Sequence, residues 1–178
     1  KDGTGSAAAL NLYPIGKSFS GNFALRFDMF LSVPLPSSVA TEYALAGINH
    51  SGTKTNWWRS GGVPAGWTFD GVFSALETDN GATPNYASYS SPTPATNNPT
   101  LLTSQTATAL SAAFKSPPWG ITGTPGNINN PSGVFGTPIW ADVEISQSGN
   151  LITLMINGTK IYTYSNATAF ASGNIMVG

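Results

Sequence analysis

A short aromatic loop holds the residues best suited to bind a neutral polar ligand. Adjacent tryptophans, Trp57 and Trp58, are flanked by Asn56 and Arg59 in a glycine-rich stretch. Sugar rings present apolar C–H faces and hydroxyl edges, so indole faces beside hydrogen-bond donors suit them. Neighbouring residues of an extended segment point in opposite directions, so we expect one indole to be buried and the other exposed. The loop predicts binding of a glycan or polysaccharide, with packing of the loop onto the core as the equal alternative.

His50 is the only histidine in the chain and precedes this loop in Asn49-His50-Ser51-Gly52. One histidine cannot build a multi-histidine metal site, and the Gly-x-Ser-x-Gly context of a serine nucleophile is absent. We therefore expect a turn histidine that is hydrogen-bonded to backbone, and we count it among the ligand-binding residues of the loop. Catalysis by His50 is the alternative.

Two pairs of carboxylates have the spacing that glycoside hydrolysis requires. Glu77 and Asp79 are two residues apart, as are Asp142 and Glu144, which corresponds to about 7 Å along a strand. A glycosidase places its two carboxyl groups roughly 5 to 9.5 Å apart. Carboxylates on the solvent face of an outer strand are the usual alternative, and Asp142 and Glu144 share their face with Trp140. A hydrolase therefore ranks below a binding protein, and no catalytic residue is assigned.

Hard oxygen ligands are concentrated where one predicted strand ends. Glu77, Asp79 and Asn80 lie within four residues of each other, and carboxylate and amide oxygens are ligands that calcium accepts. The stretch lacks a loop with fixed ligand spacing, so a polar turn is the alternative. No cofactor is required by the sequence, and calcium is the one metal it suggests.

The elements that must position these residues are short strands. In the stretch from Ile139 to Gly178, apolar residues alternate with polar ones, and Asn157-Gly158 is the strongest short signal for a hairpin. We predict four strands there, separated by turns. Alternation from Phe23 to Leu31 predicts another strand with one core face.

Further strands are expected at Ala7 to Tyr13, Thr41 to Asn49 and Gly66 to Asp79. Residues 80–138 hold most of the thirteen prolines and little periodicity, which predicts a long loop-rich insertion. Within it, Leu101 to Lys115 fits a short helix or a strand pair equally well. These patterns predict one all-β domain over residues 1–178, with no internal domain boundary.

Composition narrows the classes of function. Only 8% of the 178 residues are charged, against roughly 25% in an average soluble protein. Seven basic and eight acidic side chains leave no electrostatic footprint for nucleic acid. Cysteine is absent, which excludes thiol chemistry, and no apolar run reaches the roughly 20 residues of a membrane span. A polar surface with few charges favours an extracellular or cell-surface setting.

A family resemblance rests on the second half of the chain. The residues that carry it are Trp140-x-x-Val143-x-Ile145, Ile152-x-Leu154-x-Ile156-Asn157-Gly158 and Phe170-x-x-Gly173-x-Ile175-x-Val177-Gly178. This pattern resembles concanavalin-A-like, laminin-G-like jelly-roll domains, and the strand from Asn22 to Val33 is similar to their long first-half strand. The resemblance implies a two-sheet antiparallel jelly-roll sandwich that often binds glycans, sometimes with calcium at its rim. Hydrolases of that superfamily usually show Glu-x-Asp-x-x-Glu, whereas this chain has Ala82 at the third acidic position.

The last predicted strand departs from that pattern because the chain stops on it. Domains of this kind usually continue beyond a segment such as Gly173 to Gly178, and a bare apolar edge is an aggregation liability. We expect either that the chain is part of a longer polypeptide or that a strand of another chain completes the sheet at 173–178. Two functions follow: a non-catalytic carbohydrate-binding or adhesion module, and, as the alternative, a structural surface protein assembled by strand addition.

Overall fold

Ten strands make up the regular structure of the described residues. The computed structural model describes residues 9–31, 43–56, 69–77, 86–96, 100–105, 139–166 and 171–178. These ranges contain no helix, and thus none that could cross a bilayer. The strands are β1 (Phe19–Ser20), β2 (Phe23–Leu31), β3 (Tyr43–His50), β4 (Phe69–Glu77), β5 (Tyr86–Thr96), β6 (Thr100–Gln105), β7 (Ile139–Ser148), β8 (Leu151–Ile156), β9 (Thr159–Ser165) and β10 (Ser172–Val177).

These strands pair into two sheets. One sheet has the order β1-β10-β3-β4-β5-β6, and the other has the order β2-β7-β8-β9. Every pair of neighbours is antiparallel. The predicted all-β class with two antiparallel sheets is therefore confirmed.

One hydrophobic core lies between the two sheets. Its buried members are Leu25, Met29, Ala46, Ile48, Val72, Ala141, Val143, Ile145, Ile152, Leu154, Ile156 and Tyr162. Each aliphatic side chain of this size contributes about 1.5–3 kcal/mol by leaving water. In β2, Leu25 and Met29 are buried while Arg26 and Asp28 are exposed, so the predicted alternation is confirmed.

A second cluster covers the opposite face of the six-stranded sheet. Its buried members are Leu45, Phe69, Phe73, Ala75, Tyr89 and Met176, with Ala9 and Tyr13 packed against them. Phe73 stacks on Phe69 on one side and on Tyr89 on the other, with ring centroids 6.1 and 5.4 Å apart. Strands β3 and β4 are therefore buried on both faces, which explains why their sequences are nearly continuous apolar and small residues.

The predicted β8–β9 hairpin is present. Asn157 has a φ of 48° and Gly158 a φ of 73°, the left-handed values that a type I′ turn requires at both central residues. Asn157 also accepts a hydrogen bond at Oδ1 from the backbone N–H of Asp142, 2.9 Å away on β7. The turn is thus tied to the neighbouring strand as well as to its own hairpin.

The prediction that residues 80–138 are loop-rich is wrong for 86–96 and 100–105, because β5 and β6 extend the six-stranded sheet there. The sequence shows no apolar pattern over β5 because several of its buried residues are small and polar, namely Ser88, Ser90 and Ser91. Pro92 and Pro94 lie between Ser91 and Thr96, where the register with β4 shifts and no partners are assigned. Proline is tolerated in such a bulge because no ladder donor is needed from it.

The prediction of a partner strand at 173–178 is also wrong, because this chain covers both sides of β10. Strand β10 lies between β1 and β3, and beyond β1 a bridge joins Leu12 to Val177. Between these two contacts, Asn174 accepts from the N–H of Ile175 at 2.9 Å and donates to the carbonyl of Pro14 at 2.8 Å. In the described part of 7–13, the expected strand is reduced to the single bridge at Leu12.

Candidate functional site

The candidate site begins at an irregularity where β3 ends. The register between β3 and β10 shifts between Asn174 and Met176, and Asn49 has a φ of 62°. Ile48 and Asn49 consequently both face the four-stranded sheet: Ile48 joins the core, and Asn49 donates to Gln147 Oε1 on β7 at 2.8 Å. The extra residue turns the next side chain, His50, to the opposite face of the sheet.

On that face, His50 meets a carboxylate of the adjacent strand. Nδ1 of His50 lies 2.9 Å from Oδ1 of Asp70, and both side chains are fully buried. Ile48 and Val72 are the last paired residues of β3 and β4, and Gly71 has a φ of 70°. Asn49 and Gly71, which both have left-handed φ, lie next to the last pair of the β3–β4 ladder. His50 and Asp70 lie beyond that pair and face each other.

Two glycines make room for the imidazole ring. A Cβ on Gly47 would lie 2.3 Å from Nε2 of His50, and a Cβ on Gly71 would lie 2.8 Å from Nδ1. Both distances are far below a van der Waals contact. The ring therefore rests directly on the backbone of β3 and β4, and its place is fixed by packing as well as by the hydrogen bond.

Asn56 connects this pair to the loop that follows β3. Its Nδ2 lies 3.1 Å from Oδ1 of Asp70 and 3.0 Å from the hydroxyl of Tyr13, while its Oδ1 accepts from the Asp70 N–H at 3.0 Å. The backbone N–H of Asn56 donates to Oδ1 of Asn11. Because Asn56 is fully buried, the end of the described loop is held by the N-terminal segment and by β4 together.

Electrostatics favour an ionised Asp70. Burial alone would raise the pKa of this carboxyl, but the hydrogen bonds and charge of His50, with the N–H of Ser51 2.6 Å from Oδ2, hold it well below its usual range. Burial and the nearby Asp70 charge raise the pKa of Tyr13 to about 12, although Asn56 opposes this. An ionised carboxylate only accepts hydrogen bonds, so Nδ1 of His50 carries the proton of this hydrogen bond.

A histidine oriented by a carboxylate is one half of a hydrolytic triad. The described residues do not supply the other half, which is a nucleophile hydrogen-bonded to Nε2: no hydroxyl or other partner lies within hydrogen-bond distance of that atom. Only 1% of His50 is exposed, and Nε2 faces the backbone of Gly47. A substrate cannot reach this nitrogen in the structure, so the pair acts as a buried clamp between β3 and β4.

The structure brings together two of the residues predicted for ligand binding. His50 and Asn56 share one buried cluster, although His50 bonds to a carboxylate and not to backbone as expected. Neither side chain reaches solvent. Trp57, Trp58 and Arg59 lie outside the described residues.

The structure describes only one part of the predicted calcium site, the backbone of Glu77. Glu77 closes β4 opposite Tyr43, but its side chain, like Asp79 and Asn80, lies outside the described part. Across the residues that the structure does describe, no group of three or more His, Cys, Asp or Glu side chains could hold a metal ion.

The second carboxylate pair lies on the outer face of the four-stranded sheet. Oε2 of Glu144 accepts from Nε of Arg26 at 2.7 Å, and Asp142 is directly opposite Asp28 on β2. Glu144 is therefore an ion-pair partner, in line with the structural interpretation of this pair.

Asp70 and Tyr13 are the residues of the cluster that sequence reasoning missed. Asp70 stands alone between Phe69 and Gly71, and a single carboxylate inside an apolar strand is itself a signal, because burying an unpaired charge is costly. Such a group needs a partner, and the only histidine was available.

Compared with protein-family models, with curated proteins and with solved structures, the chain shows no significant match in any of the three.

Proposed function

We propose that this chain is a non-catalytic carbohydrate-binding or adhesion module that works outside the cell or at its surface. We further propose that it is a jelly-roll sandwich of the concanavalin-A-like kind. Two antiparallel sheets around a shared core support the fold. The low charge of the chain supports a neutral polar ligand over nucleic acid or an anionic surface.

The observation that carries the proposal is the anchoring of Asn56. This residue is fully buried and is held by Tyr13, Asp70 and Asn11. Trp57, Trp58 and Arg59 follow it directly in the sequence. A segment whose base is fixed loses less conformational entropy when it binds, so a rigid base favours ligand affinity. In this proposal Trp57 and Trp58 contact the sugar.

Two contacts, one at His50 and one at Glu144, weigh against hydrolysis as the function. Nε2 of His50 is closed off by Gly47, and Glu144 is engaged by Arg26. A general base must reach the proton that it removes, either directly or through one water.

Glycan-array binding followed by calorimetry tests the proposal. We expect saturable binding that falls at least about tenfold in W57A or W58A, whichever indole stacks on the sugar, since one such contact contributes about 1.5 kcal/mol or more. The matched control is F30A, which removes a half-exposed aromatic ring from the four-stranded sheet and should leave affinity unchanged. Binding that survives the double variant W57A/W58A would place the ligand elsewhere, and a complete lack of glycan binding would overturn the function.

Calcium at Glu77, Asp79 and Asn80 is a separate proposal with its own test. If these oxygens hold the ion, adding calcium to chelator-treated protein should raise Tm in proportion to the logarithm of its concentration. The variant D79N should lose most of that rise, whereas D28N on the four-stranded sheet should keep it. An equal response of both variants would exclude this site.

A further inference from the structure

Strand β2 is a long, regular edge. It pairs with β7 over nine consecutive residues, from Phe23 opposite Gln147 to Leu31 opposite Ile139, with no bulge. In the described part of the chain, no strand pairs with its other side. Its backbone groups on that side form a template to which another strand can add.

The other described edges carry features that discourage strand addition. β1 has only two residues, and the register of β6 with its neighbour shifts at Ser88 and Tyr89. β9 combines a register shift with the exposed Lys160. Short edges, bulges and edge lysines are the usual protections of a sheet. Among the described edge strands, β2 alone has none of these three features.

The side chains of β2 are arranged for a strand neighbour on both faces. On the core face, Leu25 and Met29 are buried, but Phe23 and Phe27 are only partly covered. On the outer face, Arg26 is 71% exposed although it pairs with Glu144, and the exposed Asp28 lies directly opposite Asp142. Like charges placed opposite each other across a ladder are destabilising. Among the residues that the structure describes, no cation forms an ion pair with Asp28.

We propose that β2 pairs antiparallel with β2 of a second copy of this chain, with the two-fold axis at Phe27. The core faces of both copies must lie on the same side of the joined sheet. Residues that face each other across the new strand pair are therefore either both odd-numbered or both even-numbered. With Phe27 on the axis, Arg26 of each copy lies opposite the partner's Asp28. Leu25 then lies opposite the partner's Met29, and the two four-stranded sheets join into one sheet of eight strands.

Charge selects this register over its neighbours. Moving the axis by one residue toward the start of β2 places Arg26 against the partner's Arg26. Moving it one residue the other way places Asp28 against the partner's Asp28. Both shifts replace two attractive pairs with a repulsive one, so only the Phe27-centred pairing brings each charge to its opposite.

The test exchanges charges between the two positions and measures mass by sedimentation velocity and native mass spectrometry. Wild-type protein should be dimeric at about 100 µM and weaken with added salt. The R26D chain presents carboxylates at both positions, and the D28R chain presents guanidinium groups at both. Each alone should dissociate at least about tenfold more readily than wild type. An equimolar mixture of the two should form a heterodimer, because every facing pair is then of opposite charge.

The control is K160E, which changes net charge by the same amount as R26D but lies on the edge strand β9. It should remain dimeric. Both positions of β2 are exposed, so circular dichroism should show folded variants, and recovery of dimers on mixing excludes misfolding as the cause of dissociation. A monomeric wild type would overturn the proposal. So would single variants that stay dimeric, a mixture that does not associate, or dissociation of K160E.

Discussion

His50 donates from Nδ1 to Oδ1 of Asp70 across 2.9 Å, with both side chains fully buried on one face of the six-stranded sheet. The relationship joins the ends of β3 and β4 at the point where their ladder stops. A charge in that position must keep its partners, because an unpaired buried carboxylate is far less stable than a paired one. The first two predictions follow from this pair.

Removing the charge of Asp70 should destabilise the fold. D70N keeps the size of the side chain but loses the carboxylate that accepts from His50, Ser51 and Asn56. We expect the free energy of unfolding to fall by about 3 kcal/mol. Urea unfolding measures it, and K160Q, which removes an exposed charge on β9, should change it by less than about 0.5 kcal/mol. Equal small effects of both variants would contradict the clamp.

Acid should weaken the protein through the same residue. The pKa of Asp70 is lower in the folded protein than in the unfolded chain, so below about pH 4 the unfolded state binds a proton that the folded state does not. The stabilisation is complete above that pH and is lost as pH falls through the folded-state pKa. The difference in unfolding free energy between wild type and D70N should therefore shrink on acidification. A difference that stays constant down to about pH 2 would assign the acid sensitivity to other groups.

Alkali should act through Tyr13 in the opposite sense. Its pKa is raised to about 12, so between the ordinary tyrosine value of about 10 and that value the unfolded chain releases a proton that the folded protein keeps. Stability contributed by the neutral hydroxyl is present below about pH 10 and declines above it. Y13F should lose stability less steeply than wild type in this window, as measured by unfolding at stepped pH. Parallel curves for the two proteins would contradict the role of Tyr13.

Gln147 should be more important than a polar residue on a strand usually is. It accepts from Asn49 and donates to the carbonyls of Gly21 and Ala171, at 2.8, 3.0 and 3.0 Å. Q147L keeps much of the volume but leaves the buried amide of Asn49 and two partly buried carbonyls without this partner, so we expect a loss of about 2–4 kcal/mol in unfolding free energy. The exposed neighbour Ser148 supplies the control S148A, which should be nearly neutral. A neutral Q147L would show that water replaces these bonds.

Alanine at Gly47 should be tolerated poorly, although the backbone there needs no left-handed φ. A Cβ would lie 2.3 Å from the His50 ring and 2.6 Å from the carbonyl oxygen of Val72. We expect a loss of about 2 kcal/mol or more from overpacking. G149A, where a Cβ meets nothing but φ is 59°, isolates the conformational cost of about 1 kcal/mol. A smaller loss for G47A than for G149A would contradict the close packing of the ring.

Local patterns predicted the parts of the fold that local chemistry decides. The Asn157-Gly158 turn and the alternation of β2 were predictable, because turn type and strand face are written in adjacent residues. β5 was missed because serines are buried there: Ser74 and Ser88 hydrogen-bond to each other at 2.8 Å, which a polarity pattern cannot show. The pairing of His50 with Asp70 depends on a bulge at Asn49 and on strand order, and neither is encoded in the spacing of the two residues.

The interior position of β10 sets an order on folding. Strand β10 pairs with β3 on one side and bridges to Leu12 on the other, so neither contact can form until residues 172–177 have been synthesised. Leu12 and Val177 are also far apart in the sequence. Contacts this distant along the chain slow folding, because loop closure comes before any compensating contact. During synthesis, β3 therefore keeps an open edge until β10 has left the ribosome, and a chain truncated before β10 should be prone to aggregation.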